Sequence, residues 1–421
     1  MKFNQWKIWL KSKPWLLKWF ILLVLVRPII DNLYFLKNIS PFLSPLYITG
    51  VLTPLMVIYV LAKTKKPAST KLDRHMRFFS FFLLLGTFFV IVFDPLSMES
   101  FEYLLKLSLP VYMYFFARRF IQSKEDLDGI LTTFLYSSIF VAGILMYEVV
   151  INPIRVEESR GMGRIQGSFG DVVSYGIYLL FSFLIACYFY FSKRKLVPMR
   201  KRLRTLLIVA AFALLALVNI HHIASYTIFV LILLLFLVYN FKTNKAAAFG
   251  ISLMLFSLFI FFGQPIIEEK ITPLLETDVA VFEGEQESGR LLHGRVGRWE
   301  YMAGIFTDQN IFVQFFGYPF TLKYSYHFVG VGSHSDYVRI LFLSGYFGLY
   351  AYLLVLFSFF KRAKQTGYAQ RFLAYGLLAI ILLYSISVVP TYYPPFVYMM
   401  MCIFAYIALP FKMISKKVIN E

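Results

Sequence analysis

The feature that most constrains this chain is a succession of about twelve apolar runs, each roughly as long as a helix that crosses the hydrocarbon core of a bilayer. Hydrophobic residues make up 59% of the 421 residues and charged residues only 15%. A water-soluble domain is far more charged and could not bury so much apolar surface. The sequence therefore predicts an all-α polytopic membrane protein, with residues 1–421 forming a single integral membrane domain.

The predicted spans are Trp15–Leu36, Pro45–Ala62, Phe78–Phe93, Phe101–Ala117, Gly129–Ile151, Val172–Phe191, Thr205–Ile220, Tyr226–Phe241, Ala246–Gly263, Asp336–Phe360, Phe372–Val389 and Pro395–Phe411. Two of the intervening segments are long. Residues 152–171 follow the fifth span, and residues 264–335 connect the ninth to the tenth. We expect the longer loop to carry amphipathic helices that cap the bundle or lie on the bilayer, with Tyr301–Phe316 as one of them.

The positions of the basic residues predict the orientation. Of the 42 Lys and Arg residues, 30 fall in the amino-terminal segment, the carboxy-terminal segment and every second gap between runs. Cytoplasmic loops carry such an excess, so both termini are expected in the cytoplasm and both long loops outside. This distribution explains the net charge of +19 without a nucleic-acid partner. Cys187 and Cys402 lie inside apolar runs, which indicates neither a disulfide framework nor a metal site.

Several cations depart from this distribution. Six of them are arginines in the two long outside loops: Arg155, Arg160, Arg164, Arg290, Arg295 and Arg298. A guanidinium donates paired hydrogen bonds to phosphate oxygens and keeps its charge, which favours an anionic ligand such as a lipid pyrophosphate. The alternative is that these arginines contact lipid headgroups or pair with Glu283, Glu285 and Glu287.

Titratable residues also cluster outside. His334 follows a glycine-containing stretch at the entrance to the tenth span, where it could accept a proton from a hydroxyl group or be purely structural. His221 and His222 share the turn between the seventh and eighth spans. Within the first span, Arg27 and Asp31 are one turn apart and are expected to form an ion pair.

Three patches carry a more specific pattern. Arg164-Ile-Gln-Gly167-Ser-Phe169 leads into the sixth span, and Gly294-Arg295-Val-Gly-Arg298-Trp299 lies in the longer loop. The third patch combines Gly317-Tyr-Pro, His334-Ser-Asp-Tyr337 and Leu343-Ser-Gly345-Tyr-Phe-Gly348-Leu349. With the twelve-span layout, they resemble the bacterial O-antigen ligase and polysaccharide polymerase superfamily. That family carries an arginine and a glycine before a middle span, an arginine four residues before a tryptophan, and a histidine before a glycine-containing late span.

The resemblance implies a GT-C-like glycosyltransferase in the bacterial cytoplasmic (inner) membrane, with its active site outside. The reaction would be inverting, metal-independent and free of cofactors. Arg164 and Arg295 would stabilise the departing pyrophosphate, and His334 would be the general base. The residues expected to bind substrate are Arg298, Arg290, Arg160, Arg339 and Tyr337.

The implied substrate is an undecaprenyl-pyrophosphate-linked oligosaccharide, and the implied partners are membrane lipids, a flippase and a chain-length regulator. The leading function is polymerisation of repeat units into an O-antigen, capsule or exopolysaccharide. Two alternatives stay open: a ligase that transfers finished glycan to another acceptor, and a transporter of lipid-linked oligosaccharide. A transporter would favour charged residues along the midplane of the bundle.

Overall fold

A computed structural model describes residues 3–93, 98–151, 156–159, 162–167, 169–194, 196–246, 248–253, 257, 267–317 and 334–410. Helices dominate these ranges. They are α1 (Phe3–Lys11), α2 (Trp15–Asn32), α3 (Leu36–Ile39), α4 (Pro45–Lys63), α5 (Lys71–Phe93), α6 (Met98–Phe120), α7 (Lys124–Val150), α8 (Val172–Ser192), α9 (Met199–Ile220), α10 (Ile223–Thr243), α11 (Thr272–Phe282), α12 (Leu291–Thr307), α13 (Ile311–Phe316), α14 (Asp336–Ala363), α15 (Tyr368–Ser387) and α16 (Pro394–Ile407).

Seven of the described helices are long and apolar enough to cross a membrane: α4, α7, α8, α9, α10, α14 and α15. Helix α16 is apolar but shorter, and α2, α5 and α6 also coincide with predicted runs. The ninth predicted span, 246–263, lies largely outside the described residues. The prediction of a polytopic helical membrane protein is therefore confirmed.

A two-stranded antiparallel hairpin lies in the loop before α8 and was not predicted from the sequence. Strands β1 (Val156–Ser159) and β2 (Met162–Ile165) pair in the loop before α8, with Glu157 opposite Arg164. Strands of four residues are too short to show the alternation by which a strand is recognised in a sequence. The hairpin matters because it fixes the position of one predicted site residue.

The helices differ in how much of their surface they bury. Helix α8 is enclosed almost completely and packs against α9, α10 and α15, while α16 packs against α6 and α7. Helix α4 instead exposes Leu52, Leu55 and Ile58. Because lipid tails solvate such side chains, α4 is read as a lipid-facing helix at the periphery of the bundle.

Ion pairs join the helices at the end of the bundle that carries the basic loops, here called the basic end. Arg118 Nε lies 2.7 Å from Asp73 Oδ1 and so links α6 to α5, and Lys193 Nζ lies 2.8 Å from Asp128 Oδ2. Tyr114 also donates to Asp73, at 2.6 Å. Buried charges persist only when paired in this way. These contacts leave the basic end closely packed.

The opposite end, here called the loop end, carries the hairpin and α11–α13. The helix predicted over Tyr301–Phe316 is in fact two, α12 and α13, because Asn310 begins a new helix by accepting a hydrogen bond from the Val313 N–H at 3.1 Å. Helix α13 then rests on a kink in α14 at Gly345, whose φ is 63°. A Cβ there would overlap the Phe315 carbonyl group, so only glycine fits.

Candidate active site

A cavity of about 950 Å³ opens at the loop end. Its wall includes residues from the end of α2, the beginnings of α4, α8 and α16, strand β2, helix α12 and His334, which lies two residues before α14. Since successive helices reverse direction, all of these segments lie opposite the basic loops. The cavity therefore faces the same side as the two long loops.

Arg164, Arg295 and His334 all line this cavity. They come from three distant parts of the chain: strand β2, helix α12 and the start of α14. The structure thus brings together the three residues that the sequence assigns to catalysis. Their shared position on the cavity wall is an observation, and their chemical roles stay predictions.

His334 is held in an unusual backbone conformation. Its φ is 46°, which few residues other than glycine adopt. The next side chain anchors it, because the buried Ser335 Oγ donates to the Ser385 carbonyl oxygen at 2.8 Å. Desolvation by the surrounding protein lowers the pKa of His334, and the positive charges of Arg295 and Arg298 lower it further. The imidazole is therefore uncharged at neutral pH, as a general base must be.

The turn between β2 and α8 positions Arg164. Gly167 has a φ of 60°, and a Cβ on it would lie 2.5 Å from the ring of Tyr175, so the turn presses closely onto α8. Asp171 then begins α8 by accepting hydrogen bonds from the Ser174 N–H at 2.7 Å and its Oγ at 2.6 Å. The first sequence patch, residues 164–169, thus forms a tight turn between β2 and α8 that holds β2 at the cavity wall.

The electrostatics of the cavity favour an anion. Arg27, Lys37, Arg164 and Arg295 line it, and the lining acids are Asp31 and Asp171. In addition, α4, α8, α10, α14 and α16 all begin at the loop end. Each helix N-terminus adds partial positive charge worth about 0.3 to 1 kcal/mol toward a nearby anion. The charged side chains and the helix N-termini therefore both favour an anion in the cavity.

Of the predicted binding arginines that the structure describes, Arg298 and Arg290 do not line the cavity. Arg298 is not among the described residues of the wall, although its charge acts on His334. Arg290 ends the exposed turn Ser288–Arg290 and does not line the cavity either. Arg160 lies outside the described residues. Of these, only Arg298 has an observed link to the site.

Arg339 and Tyr337 are occupied by other contacts. The Arg339 Nη2 donates to Asp336 and to Thr391 Oγ1, each at 2.5 Å, and its guanidinium lies 4.2 Å from the ring centroid of Tyr392. Tyr337 donates to the Leu382 carbonyl oxygen at 3.2 Å. Arg339 thus connects α14 to the 390–395 turn, and Tyr337 connects α14 to α15. Both side chains support the cavity wall but do not line it.

The ion pair predicted within the first span is confirmed. Arg27 Nε donates to both carboxylate oxygens of Asp31, at 3.0 and 3.1 Å. Sequence reasoning did not place this pair on the cavity wall, nor the aromatic side chains that share the wall: Tyr34, Tyr47, Tyr112, Tyr392, Tyr393 and Tyr398. Apolar periodicity assigns residues to helices but does not tell which helix ends meet.

The arrangement places a histidine, three guanidinium groups and an aromatic wall around one open chamber. Within the described ranges, no three His, Cys, Asp or Glu side chains come close enough together to hold a metal ion. No model of a known protein family matches this chain, and no curated protein matches it in sequence.

Proposed function

We propose that this protein is a membrane glycosyltransferase that polymerises undecaprenyl-pyrophosphate-linked oligosaccharide repeat units into a surface polysaccharide. The observation that carries the proposal is that Arg164, Arg295 and His334 line one cavity. Each was assigned a catalytic role from a separate sequence patch. Convergence of all three on one chamber is what a shared reaction requires.

The proposed reaction is a direct displacement. The acceptor hydroxyl oxygen forms a bond to the anomeric carbon while the bond from that carbon to the pyrophosphate oxygen breaks. The electron pair leaves with undecaprenyl pyrophosphate, and the hydroxyl proton passes to His334. Arg164 and Arg295 stabilise the negative charge that develops on the leaving group. Attack from the face opposite the leaving group inverts the anomeric configuration.

The proposal includes a membrane orientation. Twelve spans cross the bacterial cytoplasmic membrane, both termini lie in the cytoplasm, and the cavity opens outside, where repeat units are joined. The separation of the basic loops from the cavity supports this arrangement, because positive loops stay cytoplasmic. An undecaprenyl chain lying in the outer leaflet would present its pyrophosphate at the depth of the cavity mouth.

Packing at the basic end favours an enzyme over a transporter. The described residues that line the cavity reach from the loop end into the bundle as far as Tyr112, and they do not include the Asp73–Arg118 and Asp128–Lys193 pairs, which tie helices together at the basic end. A transporter needs a path that opens to both sides. A ligase would share the same base and arginines and differ only in its acceptor.

The test is reconstitution in liposomes with a pyrophosphate-linked repeat unit. Wild type is expected to produce a ladder of longer glycans, which His334→Ala loses and the control His75→Gln retains, since His75 lies at the basic end against Ser358. A single transfer to an added lipid acceptor, without a ladder, would identify a ligase. Movement of the lipid-linked glycan across the bilayer without a new glycosidic bond would replace the proposal with transport.

A further inference from the structure

A second histidine lies on the cavity wall and has no part in the reaction as described. His222 directly precedes α10, lines the cavity and is only 9% exposed. A polar ring enclosed to this degree is costly unless its hydrogen bonds are satisfied. The contacts of the His222 ring therefore indicate its role.

Contacts from two helices, α10 and α15, hold the His222 ring in place. Its Nδ1 lies 2.9 Å from Ser225 Oγ, which lies 2.5 Å from the Tyr384 hydroxyl on α15. The ring also stacks against Tyr384, with 5.9 Å between centroids and 27° between planes. On the α8 side, a Cβ at Gly176 would lie only 2.6 Å from Ser225 Oγ. The imidazole is thus preorganised, with Nδ1 directed away from the cavity.

The same turn of α15 supports His334. Tyr384 contacts His222, and the adjacent Ser385 accepts the hydrogen bond from Ser335, the residue after His334. Both histidines therefore border the cavity beside the end of one helix.

We infer that His222 is a substrate-binding residue, hydrogen-bonded to a hydroxyl of the acceptor sugar. This rests on the proposed function. An uncharged imidazole can donate or accept, which suits a sugar hydroxyl, whereas the pyrophosphate is better served by the arginines. Since Nδ1 is directed at Ser225, the ligand is contacted through Nε2. A fixed ring loses little freedom on binding, so the contact also orients the acceptor.

The test uses His222→Phe, which keeps a flat ring against Tyr384 but cannot hydrogen-bond, and His222→Gln, which retains hydrogen-bonding reach. A lipid-free repeat-unit oligosaccharide is varied as acceptor at fixed lipid-linked donor. His222→Phe should raise the acceptor KM by roughly three- to tenfold, the loss of one neutral hydrogen bond. His222→Gln should restore part of the lost acceptor affinity, with a KM between those of wild type and His222→Phe. Donor binding, measured directly, and the thermal midpoint should both match His75→Phe at the basic end.

Three other results would overturn the inference. If wild type is active and His222→Phe leaves the acceptor KM unchanged, the inference fails while the proposed function stands. A lower kcat with a lower thermal midpoint, and no change in KM, also overturns it, because that result marks a structural residue. If wild type neither binds nor consumes the donor, the proposed function fails and the inference falls with it.

Discussion

The charge state of His334 decides the pH at which the cavity can support general-base chemistry. Only the uncharged imidazole accepts a proton, and desolvation together with Arg295 and Arg298 lowers the pKa of this histidine. The base is therefore present at lower pH than an isolated histidine would allow. Arg298 acts from beside the cavity rather than on its wall, which makes it the residue with which to test the effect.

Replacing Arg298 with glutamine removes one of the charges that lower the pKa of His334. The pKa then rises toward its ordinary value, and the acidic limb of the pH profile of kcat/KM moves to higher pH. Profiles of wild type and Arg298→Gln measure the shift. Arg204→Gln, which removes an exposed guanidinium at the basic end, should leave the profile unchanged. If the acidic limb of Arg298→Gln stays at the wild-type pH or moves to lower pH, this electrostatic account is wrong.

Single residues also mark where sequence reasoning succeeds and where it ends. Arg164, Arg295 and His334 were found because each belongs to a short patch that can be read along the chain. His222 and Asp31 belong to no such patch, and their places on the wall depend on which helix ends converge. Arg339 was grouped with the binding residues because it follows His334 closely, but its distance along the sequence did not reveal the Asp336 and Thr391 contacts.

At the scale of elements, the apolar runs located the helices but not their ends. Helix α5 begins at Lys71 and α9 at Met199, several residues before the predicted spans. Charged and polar residues continue both helices out of the apolar zone, where hydropathy no longer marks them. The hairpin and the break between α12 and α13 were not predicted for a related reason: both depend on local capping and turn geometry, which hydropathy does not show.

The kink in α14 can be tested with one glycine pair. Gly345 has a φ of 63° and no room for a Cβ beside Phe315, so Gly345→Ala should cost at least about 2 kcal/mol of unfolding free energy. Gly304, inside α12, has open space around it. Gly304→Ala should therefore be neutral or stabilising by about 0.5 to 1 kcal/mol. Thermal unfolding in detergent compares them, and equal effects would refute the role of the kink.

The link between α5 and α6 makes a second prediction about elements. Asp73→Ala leaves the buried guanidinium of Arg118 without its carboxylate, which should lower the unfolding free energy by about 3 to 5 kcal/mol. The double variant Asp73→Ala/Arg118→Leu removes both charges and should be clearly more stable than the single variant. If single and double variants unfold alike, the pair does not hold these helices together.

At the scale of the whole molecule, the chain has two unlike ends. The basic end is closed by ion pairs, and the loop end holds the cavity, several helix N-termini and the catalytic candidates. This polarity gives a physical reason for the proposed orientation. In the proposed orientation, the positive-inside bias keeps the basic end in the cytoplasm and the cavity opens on the other side.

Thiol labelling in intact cells tests the orientation. Ser288 is exposed at the loop end and Ser69 at the basic end, while the native Cys187 and Cys402 are buried and give little background. A membrane-impermeant maleimide should label Ser288→Cys in intact cells, and Ser69→Cys only after permeabilisation. The reverse result would place the cavity in the cytoplasm and remove the basis for extracytoplasmic chemistry.

The central claim is that arginines from two distant loops act on one anionic leaving group. It is tested most directly by the rate of undecaprenyl pyrophosphate release from a lipid-linked repeat unit. Arg164→Gln and Arg295→Gln should each lower this rate by about 100-fold or more, whereas Arg204→Gln at the basic end should match wild type. Release by both cavity variants at the wild-type rate, or none by wild type itself, would contradict the account.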